Sequence, residues 1–170
     1  MAVKIDVDER AASAAIQKIK KVAKGLEQIS GMSVKVGYLG PSEPKDAREE
    51  GAMTNLGLAK IHEFGAPSRG IPARPFLFPA YEEKKKTVRK ELERAVRSEI
   101  GGSAGAVESA LMNVGRAIQD AAKDNIVAQK NFAPLKPATI RARQRKKFAG
   151  TRALIHTGQL MNAIQVKVEK

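Results

Sequence analysis

The sequence predicts an α+β fold in which a small antiparallel sheet packs with three longer helices and several short helical segments. Apolar residues recur every three or four positions over three long stretches, as they do on one face of a helix. Over two short stretches they alternate with other residues, as in a strand with one buried face. These helices and strands do not follow a strict βαβ order, which favours an α+β arrangement over a parallel sheet.

The composition fits one domain over residues 1–170 with a core of its own. Hydrophobic residues make up 42% of the chain and aromatic residues only 4%, so we expect a core mostly of Ala, Ile, Leu and Val. Cysteine is absent, which excludes disulfides, thiolate metal sites and a cysteine nucleophile. No stretch approaches the roughly 18 apolar residues of a membrane span, so we expect no membrane partner.

The N-terminal part is expected to form a helix, a strand, a loop and a short helix. Asp8 can cap the first helix, and residues 33–39 alternate as a strand. Residues 40–53 have no apolar period and predict a mobile loop. Thr54 or Asn55 can cap the short helix. One face of the first helix carries its apolar residues, which are Ala12, Ala15, Ile16, Ile19, Val22, Ala23 and Leu26.

Two further long helices are expected after a proline-rich stretch. Gly65 ends the short helix, and four prolines restrict the chain beyond it to extended conformations. Pro79 is well placed as the first residue of the second long helix, which runs to about Glu99. Gly101 and Gly102 end that helix.

Ser103 can start the third long helix. Its buried side is expected to consist of Val107, Leu111, Val114, Ile118, Ala122 and Ile126.

The C-terminal part is expected to form short elements, and it is rich in basic residues. Pro137 is expected to open a short helix that reaches about Arg145, followed by a loop. Thr157 can cap a last helical turn over residues 158–162, and residues 164–168 alternate as a strand.

The residues that could carry catalysis do not form a recognised constellation. His62 and Glu63 resemble the start of a zinc-binding His-Glu-x-x-His motif, but Ala66 stands where the second histidine is required. His156 has no Gly-x-Ser-x-Gly elbow to serve. We therefore expect no enzyme, no metal and no cofactor, and we expect His62 to pack or to hydrogen-bond at a helix end.

Basic residues dominate the last part of the chain. The whole sequence has 31 Lys and Arg against 18 Asp and Glu, a net charge of +13. Three alternatives stay open for the basic segment: contact with nucleic-acid phosphates, contact with an acidic protein, or a solvated face. A free-standing basic nucleic-acid-binding protein is the corresponding alternative function. The candidate contact residues are Arg141, Arg143, Arg145, Lys146, Lys147 and Arg152.

Two motif blocks occur along the chain, separated by a polar helical region. The first motif block (residues 58–80) contains Leu58-Ala-Lys-Ile-His-Glu-Phe-Gly-Ala-Pro and Ile71-Pro-Ala-Arg-Pro-Phe-Leu-Phe-Pro-Ala. The second motif block (residues 134–164) contains Pro134-Leu-Lys-Pro-Ala-Thr-Ile-Arg-Ala-Arg and Leu154-Ile-His-Thr-Gly-Gln-Leu-Met-Asn-Ala-Ile. Together the two blocks resemble the virion morphogenesis family of tailed phages, which comprises tail-completion and head–tail joining proteins. The chain departs from that family at His156, where Asp is usual, and at Ala163, where Ser is common.

The resemblance implies a structural part of the virion, made in the host cytoplasm and located at the neck. Copies would form a homo-oligomeric ring, expected to be a hexamer. DNA would pass through the ring, and the protein could contact this packaged DNA non-specifically. The ring would join the head connector or adaptor to the tail terminator or tail tube.

The proline-rich strip suggests which residues would contact a neighbouring subunit. Rigid segments lose less entropy on docking, which favours Arg74, Phe76, Leu77 and Phe78 for such contacts. The alternative is that Phe76 and Phe78 lie in the core of their own subunit and that Arg74 pairs within it.

Overall fold

A computed structural model describes residues 9–39, 53–147, 150–155 and 157–170 of the chain, and it confirms the predicted α+β fold. Most of the expected loop over residues 40–53, together with Asp8 and His156, lies outside these residues. The described helices are α1 (Glu9–Ile29), α2 (Asn55–Phe64), α3 (Leu77–Gly101), α4 (Ala106–Ala128), α5 (Pro137–Arg145) and α6 (Gln159–Asn162). The strands are β1 (Ser33–Gly37) and β2 (Gln165–Glu169), and a 3-10 turn covers Pro67–Arg69.

The two strands pair antiparallel and pack against α4. Val34 lies opposite Val168, and Val36 lies opposite Val166. The sheet lies so close to α4 that a Cβ on Gly115 would come within 2.8 Å of Val34 Cγ2 and still closer to Val166 Cγ1. Only glycine permits this approach without displacing the sheet.

Helix α4 is the central element of the core. All six residues predicted for its buried side are buried, which confirms the periodicity argument. Its C-terminal two thirds pack with Phe76 and Ile164 in the larger core cluster, and its first turns pack with Ala95 in a smaller one. Because fully burying an aliphatic side chain contributes roughly 1.5–3 kcal/mol, α4 is a major source of stability.

Helix α3 begins two residues earlier than predicted. Its start lies at Leu77 because the Glu63 carboxylate accepts backbone hydrogen bonds from Phe76 (2.9 Å), Leu77 (3.1 Å) and Phe78 (2.8 Å). Pro79 is therefore in the first turn but is not its first residue. Its missing N–H does no harm there, since the first four N–H groups of a helix have no intrahelical acceptor.

Helix α4 begins later than the predicted Ser103, at Ala106, for a similar reason. The carboxylate of Glu99 accepts hydrogen bonds from the backbone N–H of Gly105 (2.9 Å) and Val107 (3.0 Å). These backbone hydrogen bonds hold the pKa of Glu99 below its usual range. Gly102 ends α3 in the left-handed conformation, at φ 110°, as expected for a glycine after a helix.

The start and end of α2 confirm the sequence prediction. The Thr54 hydroxyl accepts a hydrogen bond from the Gly57 N–H at 3.0 Å, and Gly65 follows the last helical residue.

The two short C-terminal helices also begin close to their predicted positions. Pro137 opens α5, and the Thr157 hydroxyl accepts a long hydrogen bond (3.4 Å) from the Gln159 N–H at the start of α6.

Helix α1 is amphipathic but leaves its apolar stripe in solvent. Ile16 is 53% exposed, Ile19 is 68% exposed and Leu26 is 47% exposed. The helix meets the end of α3 through Gly25, beside the Ile100 backbone, and through Lys21, whose ammonium donates to Gly101 O at 3.4 Å. Residues 13–20 are exposed throughout, so Ile16 and Ile19 have no packing partner among the described residues of this subunit.

Candidate functional site at the junction of the two motif blocks

Arg74 joins the first motif block to the second. Its backbone N–H donates to His62 O at 2.6 Å, which ties the proline-rich strip to the end of α2. Its side chain donates from Nε to Ala133 O at 2.7 Å and from Nη2 to Pro134 O at 3.1 Å. Only 4% of the residue is exposed. Arg74 therefore holds two distant segments of one subunit together, which is the intramolecular alternative.

Phe76 is a core residue of its own subunit. It is 1% exposed and meets the Tyr38 ring edge to face, with 6.5 Å between the ring centroids. The Tyr38 hydroxyl donates to Leu160 O at 2.8 Å, and the Asn125 side chain donates to Phe76 O at 3.1 Å. Burial raises the pKa of Tyr38, and the nearby Glu63 adds to that rise. The inter-subunit role expected for Phe76 is thus replaced by a core role.

Phe78 is the most exposed of the four predicted contact residues. It is 64% exposed, whereas Leu77 is half-buried. Phe64 (77% exposed) and Tyr81 (40% exposed) line the same groove as Phe78, and we call these three residues the aromatic patch. The groove has a volume of about 600 Å³ and lies between β1, α2 and α3. The alternative of a core position is therefore wrong for Phe78.

Arg143 differs from the other residues of the basic segment. Its Nη1 lies within hydrogen-bonding distance of three backbone carbonyls, Gly150 O at 3.1 Å, Arg152 O at 2.9 Å and Ile155 O at 3.3 Å. It therefore fixes the turn that precedes α6, and its predicted contact with an anionic partner stays a prediction. The remaining candidates are exposed, namely Arg141, Arg145, Lys146, Lys147 and Arg152.

A cleft of about 450 Å³ opens where the two motif blocks meet. Four of the residues that line it are cations, Arg74, Lys136, Arg143 and Lys146, and no Asp or Glu occurs among the described residues of its wall. Burial lowers the pKa of Arg74, and the positive charge of Arg143 lowers it further. We call this feature the cationic cleft. The sequence predicts contact roles for Arg74, Arg143 and Lys146 and places Lys136 in the basic segment, but it predicts neither a contact role for Lys136 nor the cleft.

The remaining chemistry of the described residues is limited. His62 is half-buried on α2, at the wall of the cationic cleft, in agreement with the expected position at a helix end. Across the described ranges, no three His, Cys, Asp or Glu residues are grouped so that they could hold a metal ion. No helix in those ranges combines the length and the hydropathy that a membrane span requires.

Glu63 and Glu99 are the important residues that sequence reasoning missed. Each belongs to a preceding helix and caps the helix that follows, across a proline-rich or glycine-rich connection. A capping-box pattern would have signalled such a contact only if it were local in sequence. Neither carboxylate has that spacing.

Comparisons with known proteins find one short similarity. A stretch of 45 residues is 40% identical to the "Uncharacterized protein MJ0331" of Methanocaldococcus jannaschii. The stretch makes up 26% of this chain and covers about a third (33%) of that relative's length. No family model and no solved structure matches the chain. The name of this relative states no activity or partner.

Proposed function

We propose that this chain is a structural protein of the head–tail junction of a tailed phage, which forms a ring that joins the head connector to the tail. The observation that supports this function best is the meeting of the two motif blocks. Residues that resemble one family, although about 60 positions apart, bond directly through Arg74 and enclose one cleft. The blocks thus form a single structural unit, as expected if the resemblance reflects a shared fold.

The exposed apolar surfaces favour assembly. Ile16, Ile19 and Leu26 are exposed on one helix, and the aromatic patch is exposed elsewhere. Exposed apolar patches of this kind are typical of surfaces that contact another molecule. Two different patches on one chain are suited to heterologous contacts, which close into a ring when the rotation between copies divides a full turn. The expected ring is a hexamer through which DNA passes, bound to the head connector or adaptor on one side and to the tail terminator or tail tube on the other.

An in vitro joining assay tests this function. Extracts of cells infected with a phage mutant that lacks this protein should accumulate filled heads and free tails, and the purified protein should restore joined, infectious particles. Phe78→Ser should reduce joining strongly, because it removes an exposed ring of the aromatic patch beside the proline-rich strip. Val127→Ser is the matched control, since Val127 is 46% exposed on α4, outside the aromatic patch.

Two results would contradict the neck assignment. One is mature particles whose collar contains no copy of the protein by electron cryomicroscopy or immunogold labelling. The other is full joining activity in extracts that lack it.

The exposed cations favour a second candidate, a free-standing basic nucleic-acid-binding protein. Arg141, Arg145, Lys147 and Arg152 are all exposed in a chain of net charge +13. A monomer that binds duplex DNA with steep salt dependence, and that is absent from virions, would favour this candidate over the first.

A further inference from the structure

The cationic cleft concentrates positive charge in a concave site. Its described wall contains two guanidinium and two ammonium groups and no carboxylate. Lys136 lies at its rim, so close to Gly70 that a Cβ on the glycine would be 3.0 Å from Lys136 Nζ. The four cations come from three parts of the chain. Arg74 belongs to the proline-rich strip, Lys136 directly precedes α5, and Arg143 and Lys146 lie at the end of α5.

The two arginines of the cleft are positioned by neutral groups. Arg74, which is 4% exposed, donates to the carbonyls of Ala133 and Pro134, and Arg143 donates to carbonyls of residues 150–155. Carbonyl dipoles orient a guanidinium without cancelling its charge. None of the eight ion pairs found in the described part of the chain involves a cation of the cleft.

The buried charge of Arg74 has no counter-ion among the described residues, which is unfavourable, so an incoming anion would stabilise it. Burial lowers the pKa of Arg74, and repulsion by Arg143 lowers it further, so both effects favour an anion beside Arg74. A carboxylate placed between the two side chains would relieve that repulsion and would form charge-assisted hydrogen bonds.

The apolar part of the wall indicates what carries the anion. Leu58, Ile71 and Leu135 line the cleft beside the cations, together with Leu154 and Leu160. No Phe, Tyr or Trp lines it among the described residues, so it lacks the large aromatic rings on which bases usually stack. A sugar–phosphate backbone matches the cations but not the leucines. A peptide with acidic and apolar side chains matches both.

We propose that the cationic cleft binds an acidic segment of a partner protein, with a carboxylate between the cleft's cations and apolar side chains against its leucines. This inference goes beyond the proposed neck function and does not depend on it. It is tested with the purified chain alone, so its failure would leave the joining assay unaffected, and failure of the joining assay would leave it standing.

Fluorescence anisotropy with a labelled peptide of Leu-Glu-Glu-Ser repeats tests the proposal, with Leu-Gln-Gln-Ser repeats as the uncharged control peptide. The test variant is Lys136→Gln with Lys146→Gln, because both lysines are exposed and their replacement spares the arginines that hold the fold. The matched control is Arg141→Gln with Arg145→Gln, which removes the same charge from exposed positions of α5. Circular dichroism checks that both variants remain folded.

We expect the lysine variant to bind the acidic peptide at least about tenfold more weakly. A hydrogen bond to a charged group typically changes the dissociation constant by a factor of about ten or more. The arginine variant should lose less than about threefold at physiological salt, because exposed charges outside the cleft are screened.

The proposal is overturned if both variants weaken binding equally or if the glutamine peptide binds as well as the acidic one. It is also overturned if inorganic phosphate displaces the peptide at equal concentration. Labelled duplex DNA that binds more tightly than the peptide, and only through the two lysines, would assign the cleft to nucleic acid instead.

Discussion

Helices α1 and α4 have similar lengths and equally regular apolar stripes, but their environments are opposite. The stripe of α4 lies against α3 and both strands, and Ile126 is fully buried. The stripe of α1 faces solvent, and Ile19 is 68% exposed. Periodicity therefore predicts that a segment is helical and which face is apolar, but it does not tell whether the partner of that face belongs to the same chain.

The contrast separates residues that stabilise the fold from exposed apolar residues that are available for contact with another molecule. Substitutions in α4 are expected to lower the free energy of unfolding of the subunit. The same chemical change in α1 is expected to leave the subunit stable.

The largest difference is expected for isoleucine truncation. Ile126→Ala should lower the free energy of unfolding by about 2–5 kcal/mol, since it removes a buried side chain and leaves a cavity. Ile19→Ala should change it by less than about 0.5 kcal/mol because the side chain is exposed. Urea unfolding followed by circular dichroism measures both. A loss for Ile19→Ala as large as for Ile126→Ala would mean that α1 is buried in the monomer.

A smaller difference is expected between the two glycines at which these helices meet their neighbours. Gly115→Ala should destabilise by about 1–3 kcal/mol, because the added methyl overlaps Val34 and Val166. Gly25→Ala places its methyl at an ordinary 3.7 Å from Ile100 Cα and removes a helical glycine. It should be neutral or stabilise by up to about 1 kcal/mol. Thermal unfolding of both variants checks the expectation, and equal losses would contradict the close approach of sheet and helix.

The third difference concerns pH. The hydrogen bonds that cap α4 depress the pKa of Glu99 in the folded state, so its stabilising effect is present above the unfolded value of roughly 4.3 and is lost as the pH falls through the folded one. Glu99→Gln should therefore lower the free energy of unfolding at pH 7. As the pH falls, the free energy of unfolding of this variant should decrease less steeply than that of the wild type.

Glu27→Gln, on the exposed surface of α1, serves as the control for this pH experiment. It removes the same charge and should reproduce the wild-type profile in thermal unfolding between pH 3 and pH 7. Identical profiles for Glu99→Gln and the wild type would exclude the capping role.

The fold was largely predictable because most of its elements follow local patterns. The buried face of α4, the Thr54 cap, the Gly65 stop and the two paired strands all follow from neighbouring residues. The starts of α3 and α4 did not, because each depends on a carboxylate 6 to 15 residues away in the chain.

The candidate site was predictable only in part. The basic residues and the proline-rich strip are visible in the sequence, but the use of Arg74 and Arg143 is not. Both arginines bond to backbone carbonyls, which any residue can supply, so no sequence pattern marks the partner. The meeting of the two motif blocks in one cleft is a property of the tertiary structure.

The pairing of β1 with β2 has a consequence for folding during synthesis. Val34 emerges from the ribosome long before its partner Val168 is made, because α2, α3 and α4 lie between them in the chain. Until then β1 has no strand to pair with, and the part of α4 around Gly115 contacts Val34 of β1 but not Val166 of β2. Chains whose synthesis stops before Val168 therefore leave the valines of β1 open to aggregation or to degradation.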